Sequence, residues 1–464
     1  MKIRLLILNA LLTPLLLLAQ NRIGTGTVAE LYRAECAICH GDNLEGGLGG
    51  TLLGDLEYAS TDESLREWIE VGNPDLGMPA FGNSLSDPQI RSLVIYIREM
   101  RQKNERGTAP GKKASLEPGG NGFRVEEIVS ALSIPWSIDF LPDGTFLITE
   151  RGGALRLFRD GRLLPPVEGT PRVWTHGQGG LLEVSLHPEY PENKWIYLGF
   201  SKGSGREGST AIVRGRIEDN RWTDEETIFE VPPEHHRSAR VHFGTRFVFQ
   251  EGYLYFSIGD RGLKDSAQDP ASPNGKVHRI HDDGRIPRDN PFQSNPEAFP
   301  TIWTLGNRNI QGLDAHPRTG AIWAAEHGPR GGDEVNLIEK GLNYGWPVIT
   351  YGMNYNGTPI TDRTEAPGME QPALHWTPSI AVCGIDFYEG DLFPHWKNNL
   401  FAGGLASQEL HRLVIEEDAV LRDEIILSGM GRIRDVASGP EGALYLVLNG
   451  PDRIVRLLPE SENN

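Results

Sequence analysis

The feature that most constrains the fold is a strand–turn–strand unit that occurs six times in the carboxyl-terminal part of the chain. Each unit joins two short apolar runs by a turn such as Pro440-Glu441-Gly442, and residues of this kind permit tight hairpins. The units lie at residues 138–148, 184–200, 246–258, 312–325, 384–402 and 436–447. They are spaced about 45 to 70 residues apart, which is enough chain for one four-stranded blade each. The pattern predicts an all-β six-bladed β-propeller over residues 123–460.

A separate motif near the amino end predicts a covalently bound haem. The chain has three cysteines, and two of them form Cys36-Ala37-Ile38-Cys39-His40. In an exported protein this spacing is typical of haem c attachment, with both thiols bonded to the haem and His40 as the proximal iron ligand. The alternative is a redox or chance Cys-x-x-Cys pair, which the following histidine disfavours.

The second iron ligand is expected from a loop downstream of this motif. Met78 lies in a segment rich in Gly and Pro, whereas Met100 ends an apolar helical stretch at 89–100 and is expected in the core. Residues 24–103 resemble a class I cytochrome c domain in motif, spacing and order. The resemblance implies a small all-α domain that transfers one electron at a time, with His40 and Met78 as axial ligands of the haem iron.

The amino end also predicts export. Residues 1–20 place Lys2 and Arg4 before a Leu-rich run, which is typical of a secretory signal peptide. We therefore expect a periplasmic or secreted protein, with an uncleaved membrane anchor as the less favoured alternative. Residues 104–122 are polar and rich in Lys, Gly and Pro, and they are predicted to be a linker between two domains.

Net charge restricts the partners. The chain has 63 Asp and Glu against 45 Lys and Arg, a net charge of -18. An acidic surface repels phosphate backbones, so nucleic acid is not expected as a partner. Several arginines nevertheless interrupt apolar strands, and arginines that converge on one channel mouth would form a local site for a polyanion.

The polar clusters between the apolar strands are expected in loops, where sites are built on a rigid β scaffold. They lie at residues 177–182, 242–246, 259–262, 306–312, 326–334, 343–347 and 432–435. With these motifs in this order, the region resembles the soluble quinoprotein glucose dehydrogenase and aldose sugar dehydrogenase family, which includes sorbosone dehydrogenase-like proteins. The resemblance implies a propeller that binds pyrroloquinoline quinone and calcium and oxidises a sugar or a related alcohol or aldehyde.

Carried over from the family, His242 is the general base that takes the proton from the sugar hydroxyl. A neutral imidazole suits that task because its ordinary pKa lies near neutrality. A structural histidine is the alternative, and His235 and His236 are the nearest rivals, expected in a solvated loop. Arg308 and Asn309 match the pair at the reactive edge of the quinone, where Arg308 would stabilise developing negative charge.

Further matches concern the rest of the cofactor pocket. Arg432 and Arg434 correspond to the pair that holds the cofactor carboxylates, a task that bidentate guanidinium groups suit. Gln178 and Asp260 match positions at the substrate and cofactor mouth, respectively. The alternative for the arginines is an ordinary ion pair at a strand edge.

The resemblance also implies two calcium sites. The backbone carbonyls of Gly328 and Pro329 match the calcium ligands at the quinone, and Glu334 and Tyr344 match a structural site. Calcium prefers oxygen ligands of these kinds. The alternative is a turn that only joins two strands, and Asp333 is a candidate supporting residue.

Two positions depart from the family. Ala406 stands where the glucose enzymes have a cofactor-binding lysine, and Val241 replaces an acidic residue before the histidine. The first change removes one cationic contact to the cofactor, and both weaken the case for glucose as the substrate. Cys383 lies in an apolar strand and is predicted to be a buried free thiol.

Together these features predict a quinoprotein sugar dehydrogenase fused to its own electron carrier. Hydride transfer delivers two electrons, whereas haem accepts one at a time, so the fused cytochrome would take them in two steps. The linker would make this transfer intramolecular. Electrons would then pass to an external soluble cytochrome, cupredoxin or oxidase. The alternatives are a sugar-derived aldehyde such as sorbosone, or another polyol, as substrate, and a non-catalytic propeller that binds a ligand or a protein. The oligomeric state is not predicted.

Overall fold

The computed structural model describes residues 27–56, 58–108 and 122–460 of the chain. The predicted signal peptide and residues 109–121 of the predicted linker lie outside these ranges. Within them, no helix is both long and apolar enough to cross a membrane.

The first described part, residues 27–108, is helical. Its helices are α1 (Val28–Glu35), α2 (Ala37–His40), α3 (Asp62–Val71) and α4 (Asp87–Thr108), with a 3₁₀ turn at Pro74–Leu76. Thr27 and Thr61 begin α1 and α3 as capping boxes, in which side chains satisfy amides of the first turn. Helix α4 continues to Thr108, five residues past the predicted domain end at 103, and the boundary between domain and linker stays a prediction.

The helices pack around one apolar core. Tyr32 from α1, Ile69 from α3 and Leu93 from α4 are buried in it. Met100 packs against the same core, as the sequence predicted. The all-α amino-terminal domain is therefore confirmed.

Strands make up most of residues 123–459. In chain order they are β1 (Phe123–Val129), β2 (Pro135–Phe140), β3 (Phe146–Glu150), β4 (Leu155–Arg159), β5 (Arg162–Leu163), β6 (Leu181–Leu186), β7 (Ile196–Ser204), β8 (Glu207–Glu218), β9 (Arg221–Glu230), β10 (Phe247–Gln250), β11 (Tyr253–Ile258), β12 (Lys276–His281), β13 (Ile310–Ala315), β14 (Ile322–Glu326), β15 (Asp333–Ile338), β16 (Leu374–Trp376), β17 (Val382–Phe387), β18 (Leu400–Gly404), β19 (Glu409–Glu416), β20 (Ala419–Ser428), β21 (Arg432–Ser438), β22 (Leu444–Asn449) and β23 (Arg453–Pro459). Short helical pieces lie between them at Tyr190–Asn193 (α5), Pro233–His235, Lys264–Ala267 and Pro394–Trp396.

In the described part of the chain these strands form six antiparallel sheets, five with four strands and one, β10 to β12, with three. Each predicted unit supplies the first two strands of one sheet, for example β2 with β3 and β21 with β22. Strand β1 pairs with β23, so the first strand completes the last sheet and closes the ring. The six-bladed propeller is confirmed.

The first strands of the sheets surround a common axis: β2 contacts β6 and β21, and β13 contacts β10 and β17. At this axis the buried Arg246 binds Glu183 at 2.8 Å and Asp435 at 2.9 Å. Its other donors bond the backbone carbonyls of Gln311 and Arg434. One guanidinium group thereby links the first strands of four blades, β6, β10, β13 and β21.

Neighbouring sheets are also joined by buried aspartates on the first strands. Asp139 in β2 accepts from the amide of Leu186 in β6 at 2.7 Å, and Asp314 in β13 accepts from that of Phe387 in β17 at 2.7 Å. Burial raises the pKa of Asp139 to about 6. These carboxylates align successive blades, which fixes the loops at the end of the channel.

Candidate functional site

The centre of the site is a hydrogen-bonded histidine–aspartate pair. Nδ1 of His242 lies 2.6 Å from Oδ1 of Asp260, and the side chain of His242 is largely buried. The carboxylate of Asp260 also accepts from the indole nitrogen of Trp346 at 2.9 Å and from the amide of Gly262 at 2.8 Å. Because Nδ1 is engaged as a donor to a carboxylate, the other ring nitrogen, Nε2, is the one available as a proton acceptor.

The backbone around His242 holds the ring in place. His242 has φ of 56°, in the left-handed region that is uncommon for a residue with a side chain. Its amide donates to Oε1 of Gln178 at 2.8 Å, which places the predicted substrate residue beside the histidine. Gly259 must be glycine here, because a Cβ atom would lie 2.4 Å from the carbonyl oxygen of His242. Such local strain persists where surrounding contacts enforce it, and it is found disproportionately at functional sites.

Electrostatics keep His242 neutral and Asp260 charged. Burial lowers the pKa of His242, and the cations Arg308 and Arg261 lower it further, against the opposing effect of Asp260. Burial alone would raise the pKa of Asp260, but its hydrogen bonds and the nearby cations leave that pKa below its ordinary value. The pair is therefore a neutral imidazole oriented by a carboxylate, the arrangement of a general base.

Arg308 lies beside this pair. It is buried, donates from Nη1 to the carbonyls of His327 and Gly328 at 2.7 Å each, and has its guanidinium carbon 5.3 Å from the centre of the Trp346 ring. Its backbone amide donates to Glu326, whose pKa burial raises to about 7. Arg308 is thereby held rigidly with its charge close to His242.

The predicted partner Asn309 serves the backbone in this structure. Its Oδ1 accepts from the amide of Gly244 at 3.3 Å and from Nε2 of Gln311 at 3.3 Å. Asn309 therefore braces the segment that carries His242.

The predicted calcium ligands at the quinone lie in one tight loop. The carbonyl of Gly328 accepts from Arg308, and that of Pro329 accepts from the hydroxyl of Ser379 at 3.1 Å. The amide of Gly328 donates to Asp333 at 3.1 Å, so Asp333 supports the loop. A carbonyl oxygen has two lone pairs. The carbonyl of Pro329 also accepts from the amide of Gly332 at 3.0 Å, so of the two oxygens only that of Gly328 keeps a lone pair for a cation without displacing a hydrogen bond. The donors fit calcium in type.

The other predicted calcium residues lie apart from that loop. Glu334 is in β15, accepts from Asn336 at 3.4 Å, and has its pKa raised to about 8 by burial and by Glu326. The hydroxyl of Tyr344 accepts from the amide of Glu339 at 2.9 Å. Across the described ranges, no group of three or more His, Cys, Asp or Glu side chains is arranged to hold a metal ion. A site at Glu334 and Tyr344 stays a prediction.

Arg432 and Arg434 lie on the first strand of the last blade. Arg434 stacks over Trp136 at 4.0 Å and approaches the sulfur of Cys383 at 3.4 Å. Arg432 is exposed, and burial together with the neighbouring cations lowers the pKa of Arg434. Cys383 is free and buried, as predicted.

The cationic groups of the site suit a carboxylated ligand. Among the residues that the structure describes, no ion pair joins the side chains of Arg308, Arg432 or Arg434 to a carboxylate, although the chain is acidic overall. Ala406 lies exposed between β18 and β19, so the departure from the family leaves no cation at that position. The side chains of these arginines therefore stay available for a carboxylated ligand, and a pocket formed by all three stays a prediction.

Sequence reasoning assigned no role to His327. Within the described part of the chain its Nε2 is buried without a hydrogen-bond partner, and burial with Arg434, Arg308 and His242 lowers its pKa to about 3. His327 is thus a neutral, buried imidazole whose protonation the nearby cations oppose. Its position in the sequence, between Glu326 and Gly328 of a polar cluster, was the signal that could have identified it as a site residue. His235 and His236 lie instead beside the 3₁₀ turn at Pro233–His235, where His236 contacts the carbonyl of Val231.

The haem-binding residues lie in the helical domain. Cys36 precedes α2, which contains Cys39 and His40, and both thiols are free and half-buried. Nδ1 of His40 lies 2.7 Å from the carbonyl of Gly50, which leaves Nε2 for an iron ligand. Met78 packs against the same core as Cys36. The donor set and its tautomer fit a haem c.

Comparison with known proteins supports both parts. The family model "Glucose / Sorbosone dehydrogenase" matches residues 132–456, and the model "Cytochrome C oxidase, cbb3-type, subunit III" matches residues 25–97. The aldose sugar dehydrogenase YliI of Escherichia coli is 43% identical over 332 residues, 70% of this chain and 89% of that protein. Cytochrome c6 of Picosynechococcus is 34% identical over 86 residues, 17% of this chain and 74% of that protein.

A solved structure shows the same propeller. The PQQ-bound aldose sugar dehydrogenase of Streptomyces coelicolor is similar with a TM-score of 0.61 and 28% identity, covering 74% of this chain and 99% of that one. The chain therefore belongs to the glucose/sorbosone dehydrogenase family, and it carries a cytochrome c domain ahead of its propeller.

Proposed function

We propose that the protein oxidises an aldose or a related sugar-derived aldehyde outside the cytoplasm, with pyrroloquinoline quinone as hydride acceptor, and passes the electrons singly through haem c to an external acceptor. The observation that carries this proposal is the His242–Asp260 pair beside Arg308. Oxidation of a sugar removes a proton from its hydroxyl and a hydride from the carbon that bears that hydroxyl, and it requires a neutral base and a fixed cation in one pocket.

His242 would take the proton from the substrate hydroxyl through Nε2. Asp260 holds the ring by Nδ1 and would stabilise the imidazolium that forms. Gln178, which binds the amide of His242 at 2.8 Å, would bound the substrate pocket on that side. The depressed pKa of His242 keeps the base unprotonated into mildly acidic solution.

When bound, the quinone supplies a two-electron acceptor, and haem c supplies a one-electron carrier. Arg432 and Arg434 would hold cofactor carboxylates, and Arg308 would stabilise negative charge on an acceptor oxygen. Gly328 and Pro329 would bind calcium through their carbonyls. His40 and Met78 would bind the haem iron, with Cys36 and Cys39 as the covalent attachments.

The test is an absorption spectrum of the haem-loaded protein after reconstitution with calcium and pyrroloquinoline quinone. We expect the haem to become reduced when a mixture of aldoses is added, and this reduction to be lost in His242→Ala. His236→Ala is the matched control, since His236 lies away from Asp260 and should retain full activity.

The outcomes separate the alternatives. Quinone binding without haem reduction by any aldose or aldehyde in the panel would refute the proposed substrate class. No quinone binding at all would favour a propeller that binds a ligand or a protein, and Ala406 would then be the first position to revert to lysine.

A further inference from the structure

The helical domain rests on the propeller through helix α4. Nε of Arg330 lies 2.8 and 3.0 Å from the two carboxylate oxygens of Glu99, and Nη2 of Arg330 bonds the same carboxylate. The two side chains are 23% and 20% exposed, so the pair is mostly shielded from water. A two-point guanidinium–carboxylate contact fixes orientation as well as distance.

The surroundings of this pair are closely packed. Ile95 of α4 lies directly over Gly331, and a Cβ atom at Gly331 would fall 2.7 Å from its side chain. Met353 of the propeller is buried in the core of the helical domain. Arg91 of α4 donates to the carbonyl of Thr361 at 3.2 Å.

The remaining gap in this contact is small. A cavity of about 10 Å³ lies between α4 and residues 351–361, which is at most the volume of one water molecule. Val28 of α1 extends the contact, since it lies against Gly357. Weak encounters between domains are usually wetter and less well packed than this.

The propeller side of the contact is the loop of the predicted quinone site. Arg330 follows Gly328 and Pro329 directly, and the amides of Gly331 and Gly332 donate to the hydroxyl of Ser379 at 2.9 and 3.1 Å. The same hydroxyl donates to Pro329, so one serine holds the loop on both sides of Arg330. One braced loop thus contacts the side chain of Arg308 through Gly328 and that of Glu99 through Arg330.

We infer that residues 328–332 and 350–361 form a built docking face for the cytochrome domain, and that Arg330 is the positioning residue that fixes the haem relative to the quinone site. This inference rests on the proposed function and deepens it. The linker alone would leave the cytochrome domain mobile, whereas this contact holds the domain in one position on the propeller. Electron transfer slows steeply with separation, so a locked domain keeps one rate whereas a tethered domain depends on re-encounter.

The test uses charge reversal in the full chain. Glu99→Arg, Arg330→Glu and the double swap are compared with the wild type. The matched control is Glu424→Arg, because Glu424 pairs with Arg412 inside one blade at similar exposure, 19% and 14%. Docking is read from amide hydrogen exchange of residues 350–361, which needs no cofactor.

We expect Glu99→Arg to speed exchange in that segment about tenfold or more, since like charges across a shielded contact repel strongly. In the loaded enzyme it should slow sugar-driven haem reduction by about the same factor, while turnover with a soluble dye stays unchanged. The double swap should restore both readouts, which a merely structural effect of either residue would not do.

Exchange and haem reduction that match the wild type in both single reversals would overturn the inference. So would a loss of haem reduction that the double swap leaves unrepaired. Absence of dye turnover in the wild type would defeat the proposed function instead, and the exchange experiment would still decide the docking.

Discussion

Replacing Asp260 by asparagine tests whether this carboxylate makes His242 a base. The carboxylate accepts three hydrogen bonds, from His242, Trp346 and Gly262. An asparagine has only one acceptor oxygen, so its amide must face either the Trp346 indole or the histidine. If the amide faces the Trp346 indole, two N–H donors meet in a buried site, which costs about 1–3 kcal/mol of stability. In the second case Nδ1 becomes the acceptor and Nε2 carries the proton.

Either arrangement should weaken catalysis. Loss of an oriented general base lowers kcat by about 10²- to 10⁴-fold. The pH profile adds a signed test. A base works above its pKa, and Asp260 opposes the burial that depresses the pKa of His242. Without the carboxylate that pKa falls further, so the acid limb of the residual activity should move to lower pH.

The assay is dye-linked sugar oxidation by the calcium- and quinone-loaded protein from pH 4 to 9, with thermal unfolding measured alongside. The matched control is Asp139→Asn, a buried aspartate that also accepts two backbone amides, at 2.6 and 2.7 Å, but contacts no site residue. It should lower stability and leave the pH profile in place. A fall in kcat of less than about threefold for Asp260→Asn would refute the assigned role, as would an acid limb that moves to higher pH.

Two further predictions concern stability. Arg246→Met leaves Glu183 and Asp435 buried at the axis without their cation. The free energy of unfolding, measured in denaturant, should therefore fall by about 3–5 kcal/mol. A fall of less than about 1 kcal/mol would contradict the stabilising role of this ion cluster. Burial would lower the pKa of His411, but the carboxylate of Asp423, 2.6 Å from Nδ1, and that of Glu409, 3.6 Å from Nε2, raise it to about 9. This protonated histidine should therefore contribute up to about 3 kcal/mol to the free energy of unfolding below pH 6.5, and this contribution should be lost as the pH rises through 9. In thermal unfolding measured from pH 6 to 10, His411→Gln should remove this pH dependence.

Much of the fold could be predicted because its signals are local. Helix α4 contains the apolar stretch at 89–100 that predicted a helix there, and each strand–turn–strand unit became the first hairpin of one blade. Helix α4 extends beyond the apolar stretch that predicted it, because the polar residues after Met100 continue the helix to Thr108. The apolar pattern predicts only the part of a helix that packs against a core.

The site could be predicted in its residue types but less well in its contacts. His242 and Asp260 were both identified, but their hydrogen bond to each other was not predicted. The bond from the amide of Gly244 to Asn309 was not predicted either. The assignments of Asp260 to the cofactor mouth and of Asn309 to the quinone stay predictions. His327 was passed over because nothing in its sequence neighbourhood shows that Nε2 is buried without a partner in the described structure.

The sequence by itself determined the haem motif, the number of blades and the arginines of the pocket, since each is written in neighbouring residues or in a repeat. Only the tertiary structure decided which partners these residues meet. Strand β1 closes a ring with β23, and Arg330 meets Glu99 across 231 positions of the chain. Such contacts arise from how the sheets pack around the axis and how the helical domain docks on them. No local pattern encodes that geometry, because it depends on the shape and charge of surfaces assembled from distant segments.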